Sequence, residues 1–272
     1  MKSRIDKLLA SNGFGSRRDI KRMLKSRAFL VNGAAVIDPG TVVDSETDSF
    51  SWEGKAFKPR EKAYLMLNKP SGVVTSTSDP GHDTVMDLLG EPWSLMDLHP
   101  VGRLDIDTEG LLLLTNDGPL THRLTSPKTG VDKTYEARLR DPVGQGAFEE
   151  YRAAFGRGVT FHDGYTTLPA TLGLPSNGDS DADAEGPDGV PSVSFPRDAV
   201  LLTIQEGKYH QVKKMFKTVG NEVVALRRIS MGPLRLDRAL PPGGYRELSE
   251  SEIRALRLAV GNDAPVEGES AP

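Results

Sequence analysis

Along the first sixty residues the apolar positions come in short sets separated by turn residues. Asp6, Leu8 and Leu9 open a helical pattern that stops at Asn12-Gly13, a pair suited to a helix C-cap. Ser16 stands where an N-cap belongs. Behind it Ile20, Met23 and Leu24 fall at i, i+3 and i+4, one apolar stripe on a second helix. Arg17, Arg18, Lys21, Arg22 and Lys25 lie mainly off that stripe, so this helix turns its cations outward. Two short β-branched runs joined at Asn32-Gly33 then predict a hairpin.

From Lys62 the pattern becomes that of strands. AYLMLNKPSGVVTST predicts a buried strand, a Pro-Ser-Gly turn and a second short strand. The run Leu111 to Leu114 predicts a strand buried on both faces. It holds the polar loop RLDIDTE, bracketed by Gly102 and Gly110, that carries Asp105 and Asp107. DKTYEARL predicts a strand carrying Tyr135. Residues 199–236 read strand, turn, amphipathic basic helix, strand, and LPPGGYRELSESEIRAL predicts a turn and a helix capped by Ser249.

Composition narrows the function classes. With 37% hydrophobic and 26% charged residues, the 272-residue chain is expected to fold around a sizeable core. It has no cysteine, which excludes a disulfide framework, a thiolate nucleophile and a Cys-ligated zinc site. Its five histidines show no pair at metal-ligand spacing, and there is no P-loop or dinucleotide fingerprint. Neither a zinc site nor ATP or NAD chemistry is therefore expected. The longest apolar run is four leucines, and no apolar leader opens the chain, so a cytoplasmic protein without a membrane partner is expected.

The net charge of −4 argues against a nucleic-acid partner, but its distribution argues for one. Residues 1–27 hold nine cations against two aspartates, a net of +7, which leaves −11 for the rest. That pattern suits a polyanion-binding module attached to a mildly acidic body. Part of the acid sits in 177–190, with five acids and no base, and in the last twelve residues, with three acids and no base. Both lack the apolar residues that offset ordering entropy, so a flexible insertion and a disordered tail are expected.

The densest chemistry is HPVGRLDIDTEGLLLLTNDG. Two aspartates at this spacing can ligate a divalent metal, supply a nucleophilic or acid–base carboxylate, or only cap the loop. Residue chemistry alone leaves these three open.

Residues 3–43, SRIDKLLASNGFGSRRDIKRMLKSRAFLVNGAAVIDPGTVV, resemble the S4 RNA-binding domain. GRLDIDTEGLLLLTNDG is similar to the signature of pseudouridine synthases of the small-subunit ribosomal type, which carry an S4 domain ahead of the catalytic one. LNKPSGVVTS, KTYEARL and EGKYHQVKKMF follow the same family in order, and the YHQVKKMF version looks most like enzymes modifying 16S rRNA. The resemblance implies an α+β protein. An S4 domain over 1–60 would precede a catalytic domain over 61–262 with a mainly antiparallel, mixed sheet flanked by helices, and a tail over 263–272 would follow. It implies isomerisation of uridine to pseudouridine in ribosomal RNA, free or in an assembling subunit, by a monomer that needs no metal or cofactor.

By the same resemblance Asp105 is the catalytic carboxylate, Lys213 the cation beside it, and Tyr135 the ring against the uracil. Arg103 would fill the space left by a flipped uridine or bind a flanking phosphate. Lys69, Tyr209, His210 and Gln211 would be pocket or RNA contacts, and Arg17, Arg18, Lys21 and Arg22 phosphate contacts. A large-subunit 23S enzyme and a non-catalytic ribosome-assembly factor are the alternatives.

Overall fold

The computed structural model describes residues 2–60, 62–175 and 197–261. The expected insertion at 177–190 and tail at 263–272 lie outside the described residues. In chain order the elements are β1 Lys2–Arg4, α1 Ile5–Ser11, α2 Arg17–Lys25, β2 Phe29–Val31, β3 Ala34–Ala35, β4 Val42–Asp44, β5 Phe50–Trp52 and β6 Lys55–Phe57. Then come β7 Tyr64–Lys69, β8 His99–Pro100, β9 Thr108–Thr115, α3 Gly118–Thr125, β10 Lys133–Val143 and α4 Gln145–Arg157. The chain closes with β11 Thr171–Gly173, β12 Arg197–Ile204, α5 Gln211–Thr218, β13 Val223–Met231, β14 Leu234–Arg235, β15 Tyr245–Glu247 and α6 Glu250–Ala259.

In the N-terminal part Ser16 caps α2 as the pattern predicts, and Asp19 completes a reciprocal capping box with it. Ile20 and Leu24 of α2 join Ile5, Leu8, Leu9, Phe29, Val31, Val43 and Phe50 in one small core. Arg17, Arg18, Lys21, Arg22 and Lys25 are all exposed, and Arg22 forms an ion pair with Asp19. The hairpin turns at Asn32 and Gly33, both at positive φ (51° and 78°), the geometry of a tight two-residue turn.

The larger body is built on a nine-stranded sheet among the described residues. Its order is β11-β12-β10-β13-β9-β7-β15, with β14 on β13 and β8 on β9. Every pairing is antiparallel except β9 with β13, so the sheet is mixed and mainly antiparallel. The leucine run of β9 is fully buried, and period two divides it. Leu112 and Leu114 enter one core with Leu65, Leu67, Tyr135 and Leu226, while Leu111 and Leu113 enter the other with Met66 and Leu120. Phe148 and Phe155 of α4 and Met215 and Phe216 of α5 cover the first face. Leu120 and Leu124 of α3 and Leu256 of α6 cover the second. Among the described residues no helix is long and apolar enough to cross a membrane.

One predicted strand does not form. After the Pro-Ser-Gly turn, Val74 makes an isolated bridge to Thr84 and no ladder, its backbone N–H donating to Asp83 and its carbonyl accepting from Val85.

Candidate active site

The loop 103–107 enters β9 from its N-terminal end, and three groups from the end of β7 and the segment after it fasten it. The Thr75 hydroxyl donates to the Leu104 carbonyl at 2.8 Å and accepts from the Leu104 N–H at 3.2 Å. The Gly72 N–H donates to the Ile106 carbonyl at 2.8 Å. Lys69, fully buried, donates from Nζ to the carbonyls of Pro70, Ile106 and Thr108 at 3.0, 3.2 and 2.9 Å. Burial pulls this ammonium down to about 8, against the pull of Asp107, Glu109 and Asp105. Lys69, expected as a pocket or RNA contact, spends its donors inside the protein on these carbonyls.

Fastened in this way, Asp105 stands partly exposed at the mouth of a cleft of about 490 Å³, lined among others by Arg103, Tyr135, Lys208 and Arg228. A smaller recess shares Arg103, Asp105 and Tyr135 and adds His210. Tyr135 is 7% exposed, and its ring belongs both to the core and to the cleft wall. The volume and mixed lining suit a single flipped nucleotide.

The cation expected beside Asp105 is elsewhere. Lys213 Nζ donates to both carboxylate oxygens of Asp107 at 2.6 Å and holds that carboxyl below its ordinary range. The basic group that does face Asp105 is the His210 ring, with Nε2 at 3.7 Å from Oδ2. This pairing of Lys213 with Asp107 has a local cause. Lys213 sits in the first turn of α5, and the exposed Asp107 side chain faces that helix while Asp105 turns toward the cleft.

The segment before α5 is held from below. Glu206, 4% exposed, accepts from the Tyr165 hydroxyl, from the Leu168 N–H at 2.9 Å and from Gln211 Nε2 at 2.6 Å. Gln211 also accepts from the Lys208 N–H at 2.9 Å and is 3% exposed. It braces the loop and also lines the smaller recess that holds Asp105. Its neighbours behave differently. His210 sits at φ +53°, a conformation rare for a non-glycine residue. Tyr209 is 70% exposed and stacks on the His210 ring at 3.9 Å. Arg103 is exposed at the cleft.

Four residues escaped the sequence reading: Thr75, Lys133, Glu206 and Arg228. Arg228 left a signal, since period two along β13 from Leu226 places it on the core face. Thr75 and Glu206 sit within recognisable segments, yet nothing local distinguishes their side chains.

Comparison with known proteins fits this geometry. Residues 3–48 match the S4 domain and residues 63–218 match the RNA pseudouridylate synthase family. An uncharacterised RNA pseudouridine synthase of Bacillus subtilis (strain 168) is 44% identical, covering 93% of this chain and 98% of its own. Ribosomal small subunit pseudouridine synthase A of Escherichia coli (strain K12) is 39% identical, covering 93% and 99%. A crystal structure of a pseudouridylate synthase superposes with a TM-score of 0.60 at 36% identity, over 93% of this chain and 98% of that one. With a cleft sized for one nucleotide and a carboxylate at its mouth, the chain belongs to the RNA pseudouridine synthases and carries an S4 domain at its N-terminal end.

Proposed function

We propose that this enzyme isomerises uridine to pseudouridine in ribosomal RNA, and that its substrate is the 16S RNA of the small subunit. The observation that carries the reading is the likeness, over 93% of the chain, to proteins of Escherichia coli and Vibrio cholerae named for the ribosomal small subunit. The exposed cations of α2 support it by supplying a surface for RNA phosphates.

In this reading the S4 domain and the rim of the cleft bind folded RNA, and the target uridine leaves its stack to enter beside Tyr135. Asp105 is the carboxylate that attacks the base or the sugar as the N1–C1′ bond breaks. The uracil then turns, C5 bonds to C1′, the C5 proton leaves and N1 takes up a proton. Atoms and electrons balance without a redox partner. Lys213 acts at one remove, by holding Asp107 and with it the loop that aims Asp105. Arg103, exposed at the mouth, meets the RNA that flanks the flipped nucleotide.

Pseudouridine mapping in the ribosomal RNA of cells lacking this protein tests the reading. One small-subunit position should lose its pseudouridine and regain it with the wild-type chain, but not with Asp105→Asn. Loss confined to large-subunit RNA would overturn the 16S assignment. Rescue by Asp105→Asn would overturn the role given to Asp105.

A further inference from the structure

Behind Tyr135 the cleft wall carries two buried cations that the steps above leave without a task. Arg228 lies directly across the β10–β13 ladder from Tyr135, so the two side chains share one face of the sheet. It is 2% exposed. Its Nε donates to the Leu111 carbonyl at 2.8 Å, while Nη2 is sealed from solvent and has no hydrogen-bond partner among the described residues. Lys133, two residues before Tyr135 on β10, is 7% exposed and donates to the carbonyls of Val131 and Gln205 at 2.8 and 2.9 Å. Both residues line the cleft of Asp105 and Tyr135.

Two cations side by side in a buried wall oppose each other. Burial, and then the charge of Arg228, pull the Lys133 ammonium down to about 8. A guanidinium keeps its charge regardless, so the sealed Nη2 calls for an acceptor that its surroundings do not provide. The backbone is shaped to hold it in place. Gly110 of β9, at φ +98°, pairs with Arg228, and a Cβ there would fall on the Arg228 carbonyl oxygen. The glycine that ends the aspartate loop thus lets the strand of Arg228 come close beneath it.

The geometry points to Arg228, beside the Lys133 ammonium that backbone carbonyls already hold, as the cationic floor of the active site, which holds the uracil carbonyls and stabilises the negative charge that the base carries once N1–C1′ breaks. The step balances: the bonding pair stays on N1 and spreads onto O2 and O4, while C1′ is taken up by the attacking carboxylate or left cationic. That charge exists only after cleavage, so a fixed cation beneath the ring favours the transition state over bound substrate. A phosphodiester is the poorer occupant. Phosphates stay with the sugar backbone at the mouth, where exposed Arg103 and Lys208 stand, whereas the floor lies beside the Tyr135 ring. The inference rests on the proposed reaction and deepens it.

Two measurements test it. In the wild-type protein, calorimetric titration with 5-nitrouracil, an anion near neutral pH, is compared with uracil, which is neutral there. The anion should bind about ten-fold tighter or more, and Arg228→Gln should abolish the preference while Asp105→Asn keeps it. Release of tritium from C5-labelled uridine in ribosomal RNA, at single turnover, should fall about 10²-fold in Arg228→Gln and partly recover in Arg228→Lys, with RNA affinity little changed. Equal binding of the two bases by the wild type overturns the proposal even if every Arg228 variant misfolds. Lost RNA affinity with an intact single-turnover rate also overturns it, since that outcome assigns Arg228 to a phosphate. A wild type that isomerises no ribosomal uridine defeats the proposed function instead, while the comparison of free bases still reads the floor.

Discussion

At the scale of single residues, Asp105 and Asp107 are two positions apart and have different surroundings. Asp107 is gripped through both oxygens by Lys213. Its side chain is 61% exposed, so the pair adds little to global stability. Its effect is expected on the aim of Asp105. Lys213→Met and Asp107→Asn should each slow single-turnover isomerisation by about ten-fold. Because both changes break one link, the double variant should be hardly slower than either single one. A double-mutant cycle in tritium release checks this. Additive losses would mean that Lys213 acts on something other than Asp107.

At the scale of elements, helix α6 shows how a cap ties the last described helix to the sheet. Ser249 and Glu252 form its capping box. Arg246 of β15 holds Glu252 through two bonds of 2.9 and 2.8 Å and Asp237 through one of 2.7 Å. The Arg246 guanidinium, with Ser249, lowers Glu252 from its ordinary 4.5 to about 2. A carboxylate whose folded pKa lies below its unfolded one stabilises fully above the unfolded value. This contribution is therefore complete above pH 4.5 and is lost as pH falls toward 2. Glu252→Gln should cost about 1 kcal/mol at neutral pH. It should also flatten the decline of Tm between these limits, measured by circular dichroism melts across the acid range. An unchanged acid slope would show that the pair contributes nothing to folding.

At the scale of the whole molecule, the N-terminal domain meets the catalytic body through a short clamp. The Asn12 side chain holds the backbone of Arg60, the last residue of that domain, at 2.7 and 2.5 Å, and the Arg60 guanidinium donates to Glu247 of β15 at 2.5 Å. Beside it, Gly13 packs on Pro92. The exposed cations of α2 are thereby carried on a module joined to the body that holds the cleft. Replacing Arg17, Arg18 and Lys21 with alanine should weaken binding to ribosomal RNA. It should also lower the slope of log Kd against log salt by about 2 to 3, since each phosphate left without its cation keeps roughly one counterion. Filter binding across a salt series measures both. A slope equal to that of the wild type would remove α2 from the RNA surface.

The sequence by itself determined what depends on neighbours along the chain. The Ser16 and Ser249 caps, the apolar stripe of α2, the Asn32-Gly33 turn and the two-sided burial of β9 follow from local spacing, because helix and strand periods act over a few residues. Sequence motifs also marked the aspartate loop and the family. Only the tertiary structure decided which partner each charge finds. Lys69 and Gln211 carry the same donors whether they face RNA or brace a loop, and the packing of β7 and α5 turned both inward. Lys213 reached Asp107 because α5 and the loop before β9 meet across 106 residues of chain. Arg228 became a buried cation because β13 runs parallel to β9 at Gly110 and opposite Tyr135. A charge is legible in a sequence, but its partner is set by long-range packing, and the chemistry of this cleft depends on such partners.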